Sequence, residues 1–505
     1  LHLKQRLHVM VAPPAGISEA DWSSWPAGAR QLILAQQQEI DQLRNQLTVL
    51  ATELASLRER IDRSSRNSSK PPSSDGPGFK PPERRKGSGR KRGGQPGHPG
   101  SGPEPLPIER VDEVVEHHPD ACRRCGTLLD GEDPDPLRHQ VVEIPPITPV
   151  VIEHRLHRLV CPCCSTSTCA TLPADVEASP YGPRLSALVG LLGSAFPLSF
   201  SKTQALLDQL LGVEISRGAI ATIRKRLSAA LAQPMTEALE AARAQPVAYV
   251  DETGAPTGNA DGNNPTGKRG WQWVMVTAVV TVFIQGLSRS TAAAIELLGS
   301  TFGGIVVSDR FSVYNHLPLE RRQICWAHVI RDLTAIAERP GASAEFGAEL
   351  LELQRQLFAH WHRYKEGAID WPNLQQACVP IRQSFEAALR RAVELGHQSG
   401  ERTPWAKTVG TCRRLLPVAD GLWTFLKIKG IEPTNNAAER ALRQSVIQRK
   451  ISHGVQSRQG AICRSRLLTV TTTLRQQGRD VWPFLEQAWV AYHRGGEMPS
   501  LLPDP

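Results

Sequence analysis

The linker at residues 64–104, within RSSRNSSKPPSSDGPGFKPPERRKGSGRKRGGQPGHPGSGPEP, constrains this chain more than any other stretch. It is rich in Ser, Pro and Gly, and cannot bury enough apolar surface to offset the entropy of ordering. A 505-residue chain broken in this way folds as separate parts on either side of the break. Between Lys80 and Arg92 the stretch carries Lys80, Arg84, Arg85, Lys86, Arg90, Lys91 and Arg92 against the single acid Glu83. A flexible basic arm neutralises phosphates without reading a base sequence, so Arg84, Arg85, Lys86, Arg90, Lys91 and Arg92 are candidate nucleic-acid contacts. A soluble linker is the plainer alternative. The net charge of +9 suits a polyanionic partner without identifying one.

Before the break, apolar residues keep a heptad register: Ile33, Gln36, Ile40, Leu43, Leu47, Leu50, Leu54, Leu57, Ile61. Steps of three and four alternate throughout, which predicts a coiled coil over 33–63 and a homo-oligomer. The preceding segment, 1–32, has an apolar run too short and too poorly flanked for a signal peptide. No apolar run is long enough to span a bilayer, so no membrane partner is expected and the location expected is cytoplasmic, beside the nucleoid.

After the break, six of the ten cysteines fall between Cys122 and Cys169. Cys122 with Cys125, and Cys161 with Cys164, form two C-x-x-C pairs joined by strand-like alternation in RHQVVEIPPITPVVIEHRLHRLVCP. That pattern predicts a four-cysteine zinc ribbon over 105–175; four thiolates leave Zn2+ no open position, so the metal is structural. Cys163 and Cys169 compete for the fourth place. Residues 176–243 read as helical. One helix ends near Leu211, Gly212 turns the chain, and Ser216 caps a second, the pattern of a helix-turn-helix presenting Arg217, Arg224 and Lys225 to DNA. Any helical hairpin imitates it.

From 244 to 324 the pattern changes to strands. VAYVDETG ends in Asp251 and Glu252; WQWVMVTAVV and TVFIQGLSRS follow, then a helical TAAAIELLG, then IVVSDRFSVYN with Asp309 past its apolar run. Strand-Asp, strand, strand, helix, strand-Asp is the front of an RNase H-like α/β domain. Such a site needs a third carboxylate on a later helix, so that two Mg2+ ions about 3.5–4 Å apart can flank a phosphate. Residues 325–425 read as an all-α insertion, opening with CWAHVIRDL, where Cys325 and His328 share a helical face. They read as a buried thiol and a hydrogen-bonded imidazole, or as support for the site. Residues 426–470 carry the helix EPTNNAAERALRQSVIQRK, capped by Asn435 or Thr434. Its one early carboxylate, Glu439, is followed by Arg440, Arg443, Arg449 and Lys450, placed to meet a DNA backbone. Residues 471–505 form a helical tail.

The strings SSRNSSKPPSSD, CRRCG…CPCC, YVDETG, VVSDRFSVYN, CWAHVIRDL and NNAAERALR…RK, in this order, resemble a DDE transposase of the insertion-sequence-66 family, its large subunit of TnpC type. The resemblance covers nearly the whole chain. It implies that Asp251, Asp309 and Glu439 are the catalytic triad, using Mg2+ or Mn2+ to cut transposon ends and join them to target double-stranded DNA. It implies accessory proteins from the same element, and it matches Cys325 and His328 to a Cys-x-x-His signature. Glu252 is the nearest rival acid, ahead of Asp332 and Glu432. The loop GAPTGNADGNNPTGK departs from relatives that carry an aromatic there. A non-catalytic zinc-ribbon/helix-turn-helix regulator, and an RNase H-like nuclease of hybrids or junctions, are the competing classes.

Overall fold

The computed structural model describes residues 16–62, 104–173, 176 and 179–503, and side chains of the helix reaching residue 62 only as far as residue 54. Arg84, Arg85, Lys86, Arg90, Lys91 and Arg92 lie outside the described residues. The chain divides into two compact units: residues 1–79 with 325–430, and residues 80–324 with 431–505.

The first unit begins with α1 (Glu19–Ser24), where Ser18 accepts a hydrogen bond from the Asp21 N–H. α2 (Ala27–Asp62) runs unbroken for 36 residues. Its heptad positions Ile40, Leu43, Leu47, Leu50 and Leu54 are all exposed and form an apolar stripe along the helix.

The second unit opens with a small hairpin, β1 (Arg158–Val160) and β2 (Ser167–Cys169), antiparallel with Val160 opposite Ser167. The strand expected along the link between the cysteine pairs forms only at β1. Leu137, Val141, Val142 and Val150 are exposed instead. The alternation there has no opposing layer to cover it, and Pro145, Pro146 and Pro149 remove backbone donors. Four helices follow: α3 (Pro183–Ser194), α4 (Phe200–Leu211), α5 (Arg217–Ala230) and α6 (Ala232–Arg243). Ser199 caps α4, Gly212 closes it in the left-handed region at φ +61°, and Ser216 caps α5.

A five-stranded sheet then assembles in the order β5-β4-β3-β6-β7. β3 (Val247–Gly254), β4 (Trp271–Val276) and β5 (Thr281–Gly286) make an antiparallel meander, and α7 (Thr291–Leu298) leads to β6 (Ile305–Ser308). β6 pairs parallel with β3, and β7 (Arg322–Ile324) parallel with β6. The period of two splits β3: Ala248 and Val250 join the main core, while Tyr249 faces a second cluster on the other side.

The chain returns to the first unit through α8 (Trp326–Ala337), α9 (Ala342–Lys365), α10 (Trp371–Leu395), α11 (Pro404–Leu415) and α12 (Thr424–Lys427). Trp326 meets Phe385 and Trp423 edge-on, each at 5.3 Å, and its Nε1 donates to the Leu422 carbonyl at 2.9 Å. The second unit closes with α13 (Asn436–Ser452), α14 (Arg458–Gln476) and α15 (Val481–Arg494). α3, α5 and α15 pack together under the main core. α14 covers the edge of the sheet: Thr469 Oγ1 accepts from the Phe283 N–H at 2.9 Å, and Thr473 Oγ1 accepts from the Thr281 N–H at 3.0 Å. The open edge of β5 is thereby occupied by side chains.

Candidate functional site

β3 is the central strand, and Asp251 lies on it. The parallel pairing of β3 with β6 runs to Tyr249 opposite Val307. Continuing two residues brings Asp309, the first residue past β6, toward Asp251, and its charge acts on both Asp251 and Glu252. The Asp251 face of the sheet is covered by α13, whose Ala438 and Leu442 pack with Val274, the cross-strand partner of Asp251. Glu439 stands next to Ala438, half-buried. Burial pushes the Asp251 carboxyl well above the usual carboxylate range, and the charges of Glu252, Asp309 and Glu439 push it further; the Glu252 N–H, donating to Oδ1 at 2.9 Å, opposes them. The carboxylates at 309 and 439 therefore both act on the one at 251. Asp309 is itself braced, its Oδ1 accepting from the Phe311 N–H at 2.9 Å.

Glu252 points to the opposite face and is committed there. Its Oε1 accepts from Arg289 Nε at 2.9 Å and Nη2 at 2.7 Å, and Oε2 accepts from the Tyr314 hydroxyl at 2.9 Å. The Arg289 guanidinium lies 3.9 Å from the Phe311 ring centroid and 4.7 Å from that of Trp271. Burial and the charge of Asp309 raise the Glu252 carboxyl, against the pull of Arg289. Of the other rival acids, Asp332 belongs to α8, and Glu432 donates its N–H to the Tyr249 hydroxyl at 3.3 Å.

Both ends of α13 are fastened to β3. Asn435 is the N-cap but its side chain makes no cap bond; it is fully buried, and Nδ2 donates to the Val250 carbonyl at 2.8 Å. The expected cap thus gives way to a tether that sets the helix start one residue from Asp251. Near the other end, Arg449 donates to Thr253 Oγ1 at 3.1 Å and to the Gly254 carbonyl. The loop at 255–270 is ordered by Asn264, which donates to the carbonyls of Thr257 and Lys268 and accepts from the Lys268 N–H. It docks on the α13–α14 turn: the Gly258 N–H donates to the Val455 carbonyl at 2.7 Å. Gly454, at φ +124°, lies so close to the Pro256 carbonyl that a Cβ would collide with it.

The cysteine pairs form two knuckles of one design. Cys122 N–H donates to the Thr127 carbonyl at 2.8 Å and Cys161 N–H to the Thr166 carbonyl at 2.9 Å; Gly126 and Ser165 both take positive φ. A thiol–hydroxyl contact follows in each, Cys125 Sγ with Thr127 Oγ1 at 3.4 Å and Cys164 Sγ with Thr166 Oγ1 at 3.3 Å. Hydrogen bonds from Thr127, with a smaller one from Cys122, lower the Cys125 thiol to about 7; Thr166 and then Cys161 lower Cys164. Among the described residues the four sulfurs are not gathered into one cluster. Cys163 is exposed at the tip of the second knuckle and Cys169 ends β2.

Arg217, Lys225, Arg440, Arg443 and Lys450 are exposed, whereas Arg224 and Arg449 turn inward. Arg224 reaches the Gly193 carbonyl at 3.4 Å and lies 5.3 Å from the Phe200 centroid. In the first unit, Cys325 is the buried N-cap of α8, and its carbonyl accepts from the His328 N–H at 3.2 Å.

A family model described as the transposase IS66 family matches residues 178–462, more than half of the chain and all three acids. The chain belongs to the IS66 transposase family. The zinc-finger binding domain of transposase IS66 matches residues 119–165, both knuckles included, and a family of unknown function matches 29–104. The chain is 26% identical over 426 residues to an uncharacterised protein, y4qI, of Sinorhizobium fredii (strain NBRC 101917 / NGR234), across 78% of this chain and 75% of that one. Among the described residues no helix is long and apolar enough to cross a membrane.

In this IS66-family chain, sequence reasoning missed Arg289 and Tyr314 as holders of Glu252, and Asn435 and Arg449 as tethers of the Glu439 helix. For Asn435 a signal existed: an Asn at a helix start beside a second Asn leaves one amide without a capping task. Nothing local marked Arg289 or Tyr314, because their bonds span 37 and 62 residues.

Proposed function

We propose that this IS66-family protein is a DNA transposase whose Asp251, Asp309 and Glu439 form the catalytic centre of an RNase H-like domain. The observation that supports the reading is that the charges of Asp309 and Glu439, from two distant segments, both act on the buried Asp251 carboxyl. Like charges placed together are unfavourable unless a cation shares the site, and hard oxygen donors suit Mg2+ or Mn2+. Asp251, Asp309 and Glu439 would hold the ions, and Glu252 would not, since Arg289 and Tyr314 satisfy it. When bound, such a pair of ions activates the attacking oxygen and neutralises charge on the leaving oxygen of a phosphodiester.

The residues of the chain supply placement. β3 and β6 fix the two aspartates on rigid backbone, and the Asn435 tether fixes the height of Glu439 against Asp251. Exposed Arg440, Arg443 and Lys450 would draw the DNA backbone toward the carboxylates. The reaction expected is hydrolysis at a transposon end, freeing a 3′-hydroxyl that then attacks target DNA. The α4–α5 pair would act as the helix-turn-helix that reads the ends, the cysteine knuckles would share a structural Zn2+, and the exposed stripe of α2 would join copies in a coiled coil.

The test is cleavage and strand transfer on duplex DNA carrying the inverted repeats that flank the gene. Asp251→Asn, Asp309→Asn and Glu439→Gln should each bind that DNA and lose Mg2+-dependent cutting by at least a thousandfold. Cutting by any one of them at the unsubstituted rate would sink the triad. Equal cutting of RNA–DNA hybrids and inverted-repeat DNA would point instead to a cellular nuclease.

A further inference from the structure

Beyond the carboxylates, the second unit contains a cavity of about 640 Å³ between the α4–α5 hairpin and the α13–α14 turn. Among the described residues, five cationic side chains line it, Arg217, Arg224, Lys225, Arg464 and Arg466, and no carboxylate does. Two of them are built in rather than merely nearby. Arg464 is 9% exposed, with its guanidinium donating to Ser452 Oγ at 2.8 Å and the Gly454 carbonyl at 2.9 Å. Arg466 donates to the Ser228 carbonyl at 2.6 Å. Arg224 brings a second guanidinium against Arg464, and its buried Nε has no hydrogen-bond partner among the described residues. The first turns of α4 and α14, with caps Ser199 and Ser457, also open into the space. Cations crowded without counter-charge, beside two helix N-termini, call for an anion.

The remaining wall is apolar, and that narrows the anion. Pro197, Leu198, Phe200, Ile451 and Val455 line the same cavity. Phe200 and Ile451 are exposed although they lie in a recess. Inorganic phosphate would fill a small part of this volume and leave the apolar wall wet. A flat base with its phosphate matches both halves and falls within the roughly 300–1,000 Å³ of small-ligand sites.

We infer that this cavity holds one nucleotide unit, its phosphate on Arg217, Arg224 and Lys225 and its base against Phe200 and Ile451. The inference rests on the transposase reading for its source of nucleotide, which is a residue displaced from duplex DNA rather than a free nucleotide. Gln448 and Ser452, which line the cavity, lie nine and thirteen residues beyond Glu439 on the same helix. At about 1.5 Å per residue that is roughly 14–20 Å. At about 3.4 Å per base pair, the displaced nucleotide sits roughly four to six base pairs from the phosphate at the carboxylates.

The experiment uses the full chain in EDTA, so that no strand is cut. Affinity is measured for a fully paired duplex and for the same duplex with an unpaired 2-aminopurine, and separately for dAMP and for inorganic phosphate. The unpaired duplex should bind about tenfold tighter, with its fluorescence quenched. Phe200→Ala should remove that preference and the quenching, and Lys225→Ala should weaken the unpaired duplex more than the paired one. Saturable dAMP binding that Phe200→Ala abolishes would support the pocket with a free nucleotide as its source. Paired and unpaired duplexes that bind alike, with no dAMP binding, overturn the inference, as does a Lys225→Ala loss that is the same for both. A chain that keeps the preference but cannot cut DNA when Mg2+ is restored would sink the transposase reading and leave the pocket standing.

Discussion

Arg289→Ala tests whether Glu252 is a structural acid rather than a metal ligand. The Glu252 side chain is 1% exposed and that of Arg289 is 36% exposed. Removing Arg289 leaves a carboxylate buried with one hydroxyl donor, Tyr314, and strips a cation from between Phe311 and Trp271. Breaking a buried pair on one side costs about 3–5 kcal/mol; because Arg289 is partly solvated, the lower end, about 3 kcal/mol, is expected. That corresponds to a fall of roughly 5–10 °C in Tm for a unit of this size. The loss depends on pH with a definite sign. Burial already raises Glu252 above its unfolded value, so between those two values the native state binds more proton than the unfolded chain. Without Arg289 the folded value rises further, and stability falls as pH climbs from about 4.5 through it. Calorimetry at pH 4.5 and pH 7.5 should therefore show a smaller deficit in acid. Glu252→Gln should cost less than Arg289→Ala at pH 7.5, because it leaves no buried charge. An unchanged Tm for Arg289→Ala, or a deficit that grows in acid, would refute the assignment.

Asp251→Asn should stabilise the metal-free protein at neutral pH by about 1 kcal/mol while abolishing cutting, because the folded carboxyl is raised by burial and by Glu252, Asp309 and Glu439. The gain should vanish below about pH 4, where the aspartate is protonated in both states, and thermal melts in EDTA across pH would show this. Thr473→Val removes the acceptor for the buried Thr281 N–H, and should cost about 1–3 kcal/mol with faster amide exchange along β5. In metal-free protein Cys125 should alkylate with an apparent pKa near 7, and Thr127→Val should move that value upward, since Thr127 is the main cause. Arg440→Ala with Arg443→Ala should leave Tm within about 1 °C and lower the salt slope of DNA binding by about 2, near 0.9 per lost phosphate contact. Arg449→Ala should lower Tm and leave that slope unchanged.

What was legible in the sequence was local. Ser199, Gly212 and Ser216 mark their helix ends because caps and left-handed turns act over three or four residues. Asp251 and Asp309 stand out because each comes just after a short apolar run. The heptad in α2 is likewise carried by one helix. Long-range facts were not legible. That Asp309 comes near Asp251 depends on the parallel register of β3 with β6, and hydrophobic alternation does not set which strands are neighbours. Glu252 has the same carboxylate as Asp251 one residue along the same strand; the pleat sends it to the other face, and Arg289 and Tyr314, which it meets there, lie far off in sequence. The alternation at 137–152 misled in the other direction, because a strand pattern without a partner strand and with three prolines stays unpaired.

The helix that carries Glu439 shows how one basic segment serves opposite needs. Ala438, Leu442 and Ser445 are buried, and Arg449 continues that spacing inward to Thr253 and Gly254. Arg440, Arg443, Ile447 and Lys450 follow the same three-and-four spacing on the exposed side. Glu439 falls between the two stripes, half-buried. An arginine one turn away on the inner stripe would have lain within pairing reach of it. The inner stripe instead holds small apolar residues there, and its only guanidinium lies ten residues on, bonded to the end of β3. The outer cations are directed to solvent, where a polyanion can meet them without their neutralising the acid. Rotating the helix by one residue would put Arg440 where Glu439 stands, beside Asp251. The buried tether from Asn435 to the Val250 carbonyl opposes that rotation, which is why the amide belongs on the strand and not on the helix cap.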